Sequence, residues 1–549
     1  MTTGEDAAVA KMDELSENLK RVEDLSQRLI EVMAQHKPMR KSLTGPGDDM
    51  FSTAAAAYWT KAMENPGAIF EQQMAFWGKS VKHFVEAQHM FAQGKFEPPA
   101  DDTPSDRRFK NQLWQTNPYF NFIKQQYMLN AQAVRDSVAA MEDLDDTQRR
   151  RISYFADQIV DMMSPTNFLS TNPDALEKAV ETDGKSLVDG LENLIRDLED
   201  NNGELIVKLA DETAFELGGN VATTEGAVVY RNEMMELVQF SPSTDTVHEI
   251  PLVIFPPWIN KYYILDLKEK NSLIKWLVDQ GFTVFVVSWI NPDRSHAEVG
   301  LEDYIQDGYL QAIDEVKSIT GQKQVNAVGY CIAGTTLNLT LALLKKRGDT
   351  SVKSATFFTT LTDFSDQGEF TPFLQNDFID GIQRECEKEG ILRSMIMQRT
   401  FSFLRSNDLI YGPAIKSYMM GEPPASFDLL FWNGDGSGLP GKMAVQYLRG
   451  LCQRNEFVQE GFEILGETLS IKDVTIPTMS VTCETDHIAA WKDCPRGYKL
   501  SGSRSKSFIV SESGHIAGIV NPPSKKKYGH YTNTTMKGTA DEWMETATF

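Results

Sequence analysis

Three residues far apart in the chain have the types and surroundings that nucleophilic acyl transfer needs: Cys331, Asp486 and His515. Cys331 stands in Gly329-Tyr330-Cys331-Ile332-Ala333-Gly334-Thr335, with a β-prone run before it and a helical pattern opening after Gly334. A strand, a sharp turn and a helix in that order hold one reactive side chain proud of a sheet and aim a helix N-terminus at it. Small neighbours are required because the nucleophile's backbone is strained and close-packed. The usual turn is G-x-S-x-G; here a cysteine takes the serine's place and Ala333 that of the second glycine. Taken alone, the pattern fits a buried structural cysteine equally well.

The other two residues change that balance. Asp486 follows a late β-prone run in Thr482-Cys483-Glu484-Thr485-Asp486-His487-Ile488. His515 follows the last one in Ser511-Glu512-Ser513-Gly514-His515. An acid after a late strand orients an imidazole, and a Gly-His loop after the final strand supplies it. Separately, Asp486 reads as a turn residue and His515 as a hydrogen-bonded loop histidine. The chain order nucleophile, acid, base joins them into one constellation. His487, beside the acid, is the weaker candidate for the base and is assigned a supporting role.

Positioning these residues takes a parallel sheet. From about residue 218, β-prone runs (227–230, 235–240, 252–255, 283–288, 324–328, 354–359) alternate with helical patterns (272–280, 302–319, 335–346). Such alternation indicates βαβ units. With the nucleophile on about the fifth strand, this is an α/β class chain with an α/β-hydrolase core. The alternation stops at 362 and resumes near 475. The Phe-, Met- and Leu-rich insertion between is read as a cap over the active-site mouth, the alternative being a helical subdomain with no gating role.

The first part of the chain is helical and holds no catalytic constellation. Residues 1–50 form a flexible or helical N-terminal segment, in which Leu15, Leu19, Val22, Leu25, Leu29 and Val32 have the spacing of a docking helix. Residues 51–217 read as an all-helical domain, with helices over 51–63, 68–93, 109–141 and 148–163 and a Pro-rich linker at 98–104. The aromatic load of 68–93 suits core packing more than contact with a hydrophobic particle. Residues 218–549 form the catalytic domain with the cap at about 362–475.

Composition narrows the function. The 549 residues are 41% hydrophobic and 24% charged, with a formal net charge of −23, which argues against general nucleic-acid binding. The opening residues lack a signal peptide's basic start and apolar core, and no apolar run approaches the ~18 residues of a membrane span. Five scattered cysteines fit reduced thiols in a cytoplasm and pair with no histidine at zinc spacing. No phosphate-binding G-x-x-x-x-G-K-[ST] loop and no dinucleotide-type glycine pattern is present. No metal and no cofactor are expected.

Longer motifs carry a family resemblance. They are Asn117-Pro118-Tyr119-Phe120, the run from Pro256-Pro257-Trp258-Ile259-Asn260-Lys261 to Leu267, Ser288-Trp289-Ile290-Asn291-Pro292-Asp293, the Cys331 turn, Phe431-Trp432-Asn433-Gly434-Asp435, Asp486-His487-Ile488, and Gly514-His515-Ile516-Ala517-Gly518 through Pro523. Spread over most of the chain, they resemble the polyhydroxyalkanoate synthases, most closely the class I type that forms poly(3-hydroxybutyrate) without a second subunit. Two positions depart from that pattern. Ala333-Gly334-Thr335 stands where the family has Gly-Gly-Thr, and Trp258 stands where it has a cysteine.

The resemblance implies an acyltransferase. His515 takes the proton of Cys331, whose thiolate attacks the thioester of an (R)-3-hydroxyacyl-CoA, and CoA leaves. The backbone N–H groups of Ile332 and of the Pro257-Trp258-Ile259 turn, with Trp258 the candidate, meet the oxyanion. A hydroxyl then attacks the acyl-Cys331 thioester, with Asp486 orienting His515 or assisting that hydroxyl. Substrate of short chain length, a homodimer, a growing polyester with its granule surface and granule-associated proteins are the implied partners, in the cytoplasm. Arg405 and Lys525-Lys526-Lys527 are candidates for the CoA phosphates, or simply solvated surface. The rival readings are a cysteine thioesterase or depolymerase on the same fold, and a non-catalytic granule-surface protein.

Overall fold

The computed structural model describes residues 20–32 with Glu17 and Ala34, and 105–549 apart from 142, 143, 202 and 367. The helices expected over 51–63 and 68–93 and the linker at 98–104 lie outside the described residues. Contacts divide the chain into two compact units. One comprises residues 1–211 with Ser402–Ala425, the other Glu212–Phe401 with Ser426–Phe549. The segment 362–475 therefore contributes to both.

The first unit is helical. The pattern over 109–141 resolves into Leu113–Thr116 and Pro118–Ala139, because Asn117 before a proline is held in extended backbone. The Asn117 side chain accepts from Tyr119 and Phe120 N–H, capping the second helix at its Pro118 start. Phe109, Trp114, Phe120 and Tyr127 form its core with Val160 of helix Asp146–Met162. The helix over 20–32 lays Leu25 on Val188 and Ile195 of helix Lys185–Asp200. Arg21 pairs there with Asp189 and Glu192, and Arg28 with Glu199. In the same unit Tyr418 donates to the buried Asp197 carboxylate at 2.8 Å.

The second unit is built on a nine-stranded sheet. Its strands are β1 Gly226–Arg231, β2 Met235–Phe240, β3 Leu252–Phe255, β4 Val284–Trp289, β5 Val325–Tyr330, β6 Val352–Phe358, β7 Thr478–Cys483, β8 Lys506–Ser511 and β9 His530–Thr532. Their order is β1-β2-β4-β3-β5-β6-β7-β8-β9. From β4 to β8 all neighbours run parallel, and β1, β2 and β9 pair antiparallel. All four residues of β3 are buried, as are five of the six in β5. Runs like these mark strands covered on both faces. This is the α/β-hydrolase sheet expected, and Cys331 directly follows its fifth strand in chain order.

Two elements differ from expectation. The pattern over 302–319 passes through a π-helical segment, Tyr304–Leu310, before helix Gln311–Thr320. It buries Tyr304 and Tyr309 against Trp289, whose ring also lies close to Gly308. β9 was not expected; three residues of mostly exposed backbone carry no alternation to read.

Candidate active site

The turn after β5 has the strain its sequence predicts. Cys331 has φ +53° and precedes helix Ile332–Lys346 directly, so the helix starts earlier than the pattern from 335 indicates. Its N–H donates to Phe358 O at 2.8 Å, tying the turn to the end of β6. The two glycines are there for close approach: a Cβ on Gly329 would stand 2.6 Å from Gly334 Cα, and one on Gly334 would collide with Thr360 Oγ1. Ala333 is fully buried with ordinary helical backbone, and its carbonyl accepts from Tyr309 Oη at 2.8 Å. A methyl at that position needs no left-handed conformation.

β7 and β8 deliver the other two residues to the same end of the sheet. Asp486 is buried, and its Oδ1 accepts the N–H groups of Ile488 and Ala489 at 2.8 and 2.9 Å. Its Oδ2 lies 2.7 Å from His515 Nδ1. With one oxygen fixed by backbone, the other holds the imidazole so that Nε2 is the free nitrogen. Burial lowers the His515 pKa, but the Asp486 carboxylate and Cys331 raise it further, by charge and by hydrogen bonds, to about 10. Cys331, Asp486 and His515 are thus brought together. His487 is half-buried beside them and is not in the Asp486–His515 hydrogen bond.

The remaining sequence candidates fall in two groups. Ile332 and Trp258 both line the cavity next to Cys331. As the first residue of its helix, Ile332 has an N–H with no intrahelical acceptor. After β3 come Pro256 and Pro257, which have no N–H, so Trp258 is the first residue there able to donate. Its indole is fully buried, donates to Thr336 Oγ1 at 3.3 Å and meets Tyr447 edge-on at 5.5 Å. Arg405 is exposed in the helical unit, and Lys525, Lys526 and Lys527 are exposed in the other, at the end of the short 3-10 helix Pro523–Lys525 and just after it. None of the four lines the cavity.

The cavity has a volume of about 190 Å³ and apolar walls. Phe364, Phe370, Phe373, Phe378 and Ile396, all from the insertion after β6, form much of them. Two groups here escaped sequence reasoning. Tyr330, between Gly329 and Cys331, donates its hydroxyl to His515 O at 2.7 Å. Thr359, just past β6, lines the cavity with φ +43°. The four other cysteines are buried, and burial pushes the thiols of Cys386, Cys452, Cys483 and Cys494 up, that of Cys386 to about 12.

Sheet order, strained turn and acid–imidazole pair together define an α/β-hydrolase-fold protein with cysteine in the nucleophile position. The family described as alpha/beta hydrolase fold matches residues 251–522, and that described as Poly-beta-hydroxybutyrate polymerase (PhaC) N-terminus matches residues 105–277. Poly(3-hydroxyalkanoate) polymerase subunit PhaC of Rhizobium etli is 38% identical over 511 residues, covering 91% of this chain and 79% of that one. The Cupriavidus necator protein of the same name is 40% identical over 472 residues, covering 84% and 78%. Poly(3-hydroxyalkanoate) polymerase of Methylorubrum extorquens is 40% identical over 454 residues, covering 82% and 75%. The chain belongs to the poly(3-hydroxyalkanoate) polymerase family.

Proposed function

We propose that this protein polymerises (R)-3-hydroxyacyl-CoA, with 3-hydroxybutyryl-CoA the leading substrate, through an acyl thioester on Cys331. The observation that carries this reading is a strained cysteine in the wall of an apolar cavity, hydrogen-bonded to a histidine that is itself paired with Asp486. The Cys331 proton passes to His515 Nε2, and the thiolate attacks the thioester carbonyl. The Ile332 and Trp258 N–H groups receive the oxyanion. The bond from acyl carbon to CoA sulfur breaks, and CoA leaves as a thiol with the proton returned from His515. One thioester has replaced another, so the acyl group stays activated.

Acylation also changes the base. Cys331 contributes to the raised His515 pKa by charge and by hydrogen bond, and a neutral thioester contributes neither charge nor proton. The imidazole then becomes free to take the proton of the attacking 3-hydroxyl. The oxygen–acyl bond forms, the bond to Cys331 sulfur breaks, and the thiolate is restored as the ester chain grows. Thioester-to-ester exchange supplies the driving force without a cofactor. The Phe-lined cavity excludes the water that would make the protein a thioesterase. Among the described residues no helix is long and apolar enough to cross a membrane. A cytoplasmic protein acting as a homodimer at the surface of its own polymer granule fits this reading.

The test supplies purified protein with 3-hydroxyacyl-CoAs of graded length and follows CoA release and turbidity together. CoA release with insoluble polymer is expected. Stoichiometric free hydroxy acid without polymer makes the protein a thioesterase, and no CoA release leaves a non-catalytic granule protein.

A further inference from the structure

The wall of the cavity beside Cys331 holds a buried polar group that the protein itself leaves unused. Thr359 follows the last residue of β6, is fully buried and lines the cavity. Its neighbours in the chain are all tied to the nucleophile turn. Phe358 O accepts the Cys331 N–H, Thr360 Oγ1 donates to Cys331 O at 3.4 Å, and Leu361 O accepts from Thr335 Oγ1 at 2.6 Å. The Thr359 N–H donates to Val481 O on β7, the strand leading to Asp486. Its hydroxyl alone has no hydrogen-bond partner among the described residues. The other threonine hydroxyls on the cavity wall are engaged, Thr335 with Leu361 and Thr400 with Ile396 O at 3.0 Å.

Thr359 also carries φ +43°, a left-handed backbone that a β-branched residue adopts only under strain. Backbone strain and an unsatisfied buried hydroxyl at one residue are both features that accumulate where a ligand completes the site. An acyl group held on Cys331 offers two polar atoms near the sulfur. The thioester oxygen belongs to the backbone donors of Ile332 and Trp258. The other is the oxygen on carbon 3.

We infer that Thr359 is a substrate-positioning residue, whose hydroxyl hydrogen-bonds the 3-oxygen of the acyl group on Cys331 and makes the site select 3-hydroxyacyl over plain acyl thioesters. The inference rests on the polymerase reading and adds to it the origin of the hydroxyacyl preference. Apolar walls alone discriminate weakly against a missing hydroxyl, whereas a buried polar group left unpaired by the wrong substrate rejects it. The Thr359 hydroxyl can accept from a free 3-hydroxyl and donate to the ester oxygen that replaces it as the chain grows.

The test compares single-turnover CoA release from 3-hydroxybutyryl-CoA and butyryl-CoA, which differ only in that hydroxyl, in wild type, Thr359→Val, Thr359→Ser and Thr359→Ala. Wild type is expected to prefer the hydroxylated substrate by about 10- to 100-fold. Thr359→Val should slow release from 3-hydroxybutyryl-CoA by about tenfold or more while leaving butyryl-CoA within about twofold, and Thr359→Ser should keep the preference. If the valine variant does not fold, serine against alanine, alike in lacking the methyl and different in the hydroxyl, makes the same comparison. Equal losses on both substrates, or an unchanged ratio in every variant, overturn the assignment of Thr359 alone. Wild-type protein that releases CoA from neither substrate overturns the polymerase reading and the assignment with it.

Discussion

Tyr330 reaches across the sheet to His515, donating its hydroxyl to that residue's backbone carbonyl at 2.7 Å while its ring lies 5.7 Å from the imidazole. The residue next to Cys331 therefore holds the loop that carries His515. Burial first, then the charges of Cys483, Cys331 and Asp486, push the Tyr330 phenol well above its ordinary pKa and keep it a donor. Tyr330→Phe keeps the ring and loses the tie. CoA release should fall about 3- to 10-fold, with a thermal midpoint lowered by the loss of one buried hydrogen bond, roughly 1 kcal/mol. Unchanged turnover would mean that the loop is held without it.

Cys331→Ala should abolish CoA release, by roughly three orders of magnitude or more, with the fold retained. Cys331→Ser is the sharper test. A serine ester is less activated than the thioester it replaces, so acylation would trap the enzyme after one turnover, seen as a burst without polymer. Full polymer yield from the serine variant would remove the reason given for cysteine.

Asp486→Asn should cost roughly 10³- to 10⁴-fold in turnover, since an amide no longer fixes the proton on Nδ1. Stability carries the same signature. The His515 pKa lies at about 10 in the fold against 6.5 ordinarily. Its contribution is fully present below pH 6.5 and is lost as pH rises through about 10. Denaturant titrations from pH 6 to pH 10 should show stability falling over that window in wild type, and less steeply in His515→Gln. Equal slopes in the two proteins would contradict the ion-paired imidazole.

Trp258 fills a wall of the cavity where the resembling family has cysteine. Trp258→Cys should enlarge the pocket and cost about 3–5 kcal/mol of stability, as large aromatic truncations do. Rates on six- and eight-carbon 3-hydroxyacyl-CoAs should rise relative to the four-carbon substrate. A chain-length profile identical to wild type would show that the limit on acyl length lies elsewhere.

How much the sequence disclosed follows from where each residue sits. Cys331, Asp486 and His515 each close a β-prone run, so the strands announce them and the chain order relates them. The parallel sheet was legible because buried strands and helices alternate at their own periods. Thr359 gave no signal, since a threonine after a strand is ordinary and its strain exists only as a backbone angle. Tyr330 was visible only as the unnamed residue of the turn; its bond to His515 spans 185 positions. The grouping of 402–425 with the helical unit depends on contacts such as Tyr418 with Asp197, which no local pattern encodes. The break at Asn117-Pro118 is a local rule that helical periodicity on both sides obscures.

Four of the five thiols are locked inside the protein with their ionisation suppressed, and Cys331 is the one that is partly open. The folded chain is thereby its own single-site reagent. A mild alkylating probe should attach once per molecule and report, by simple stoichiometry, what fraction of a preparation carries a free Cys331 thiol. Labelling slowed by bound substrate would turn the same count into an occupancy assay.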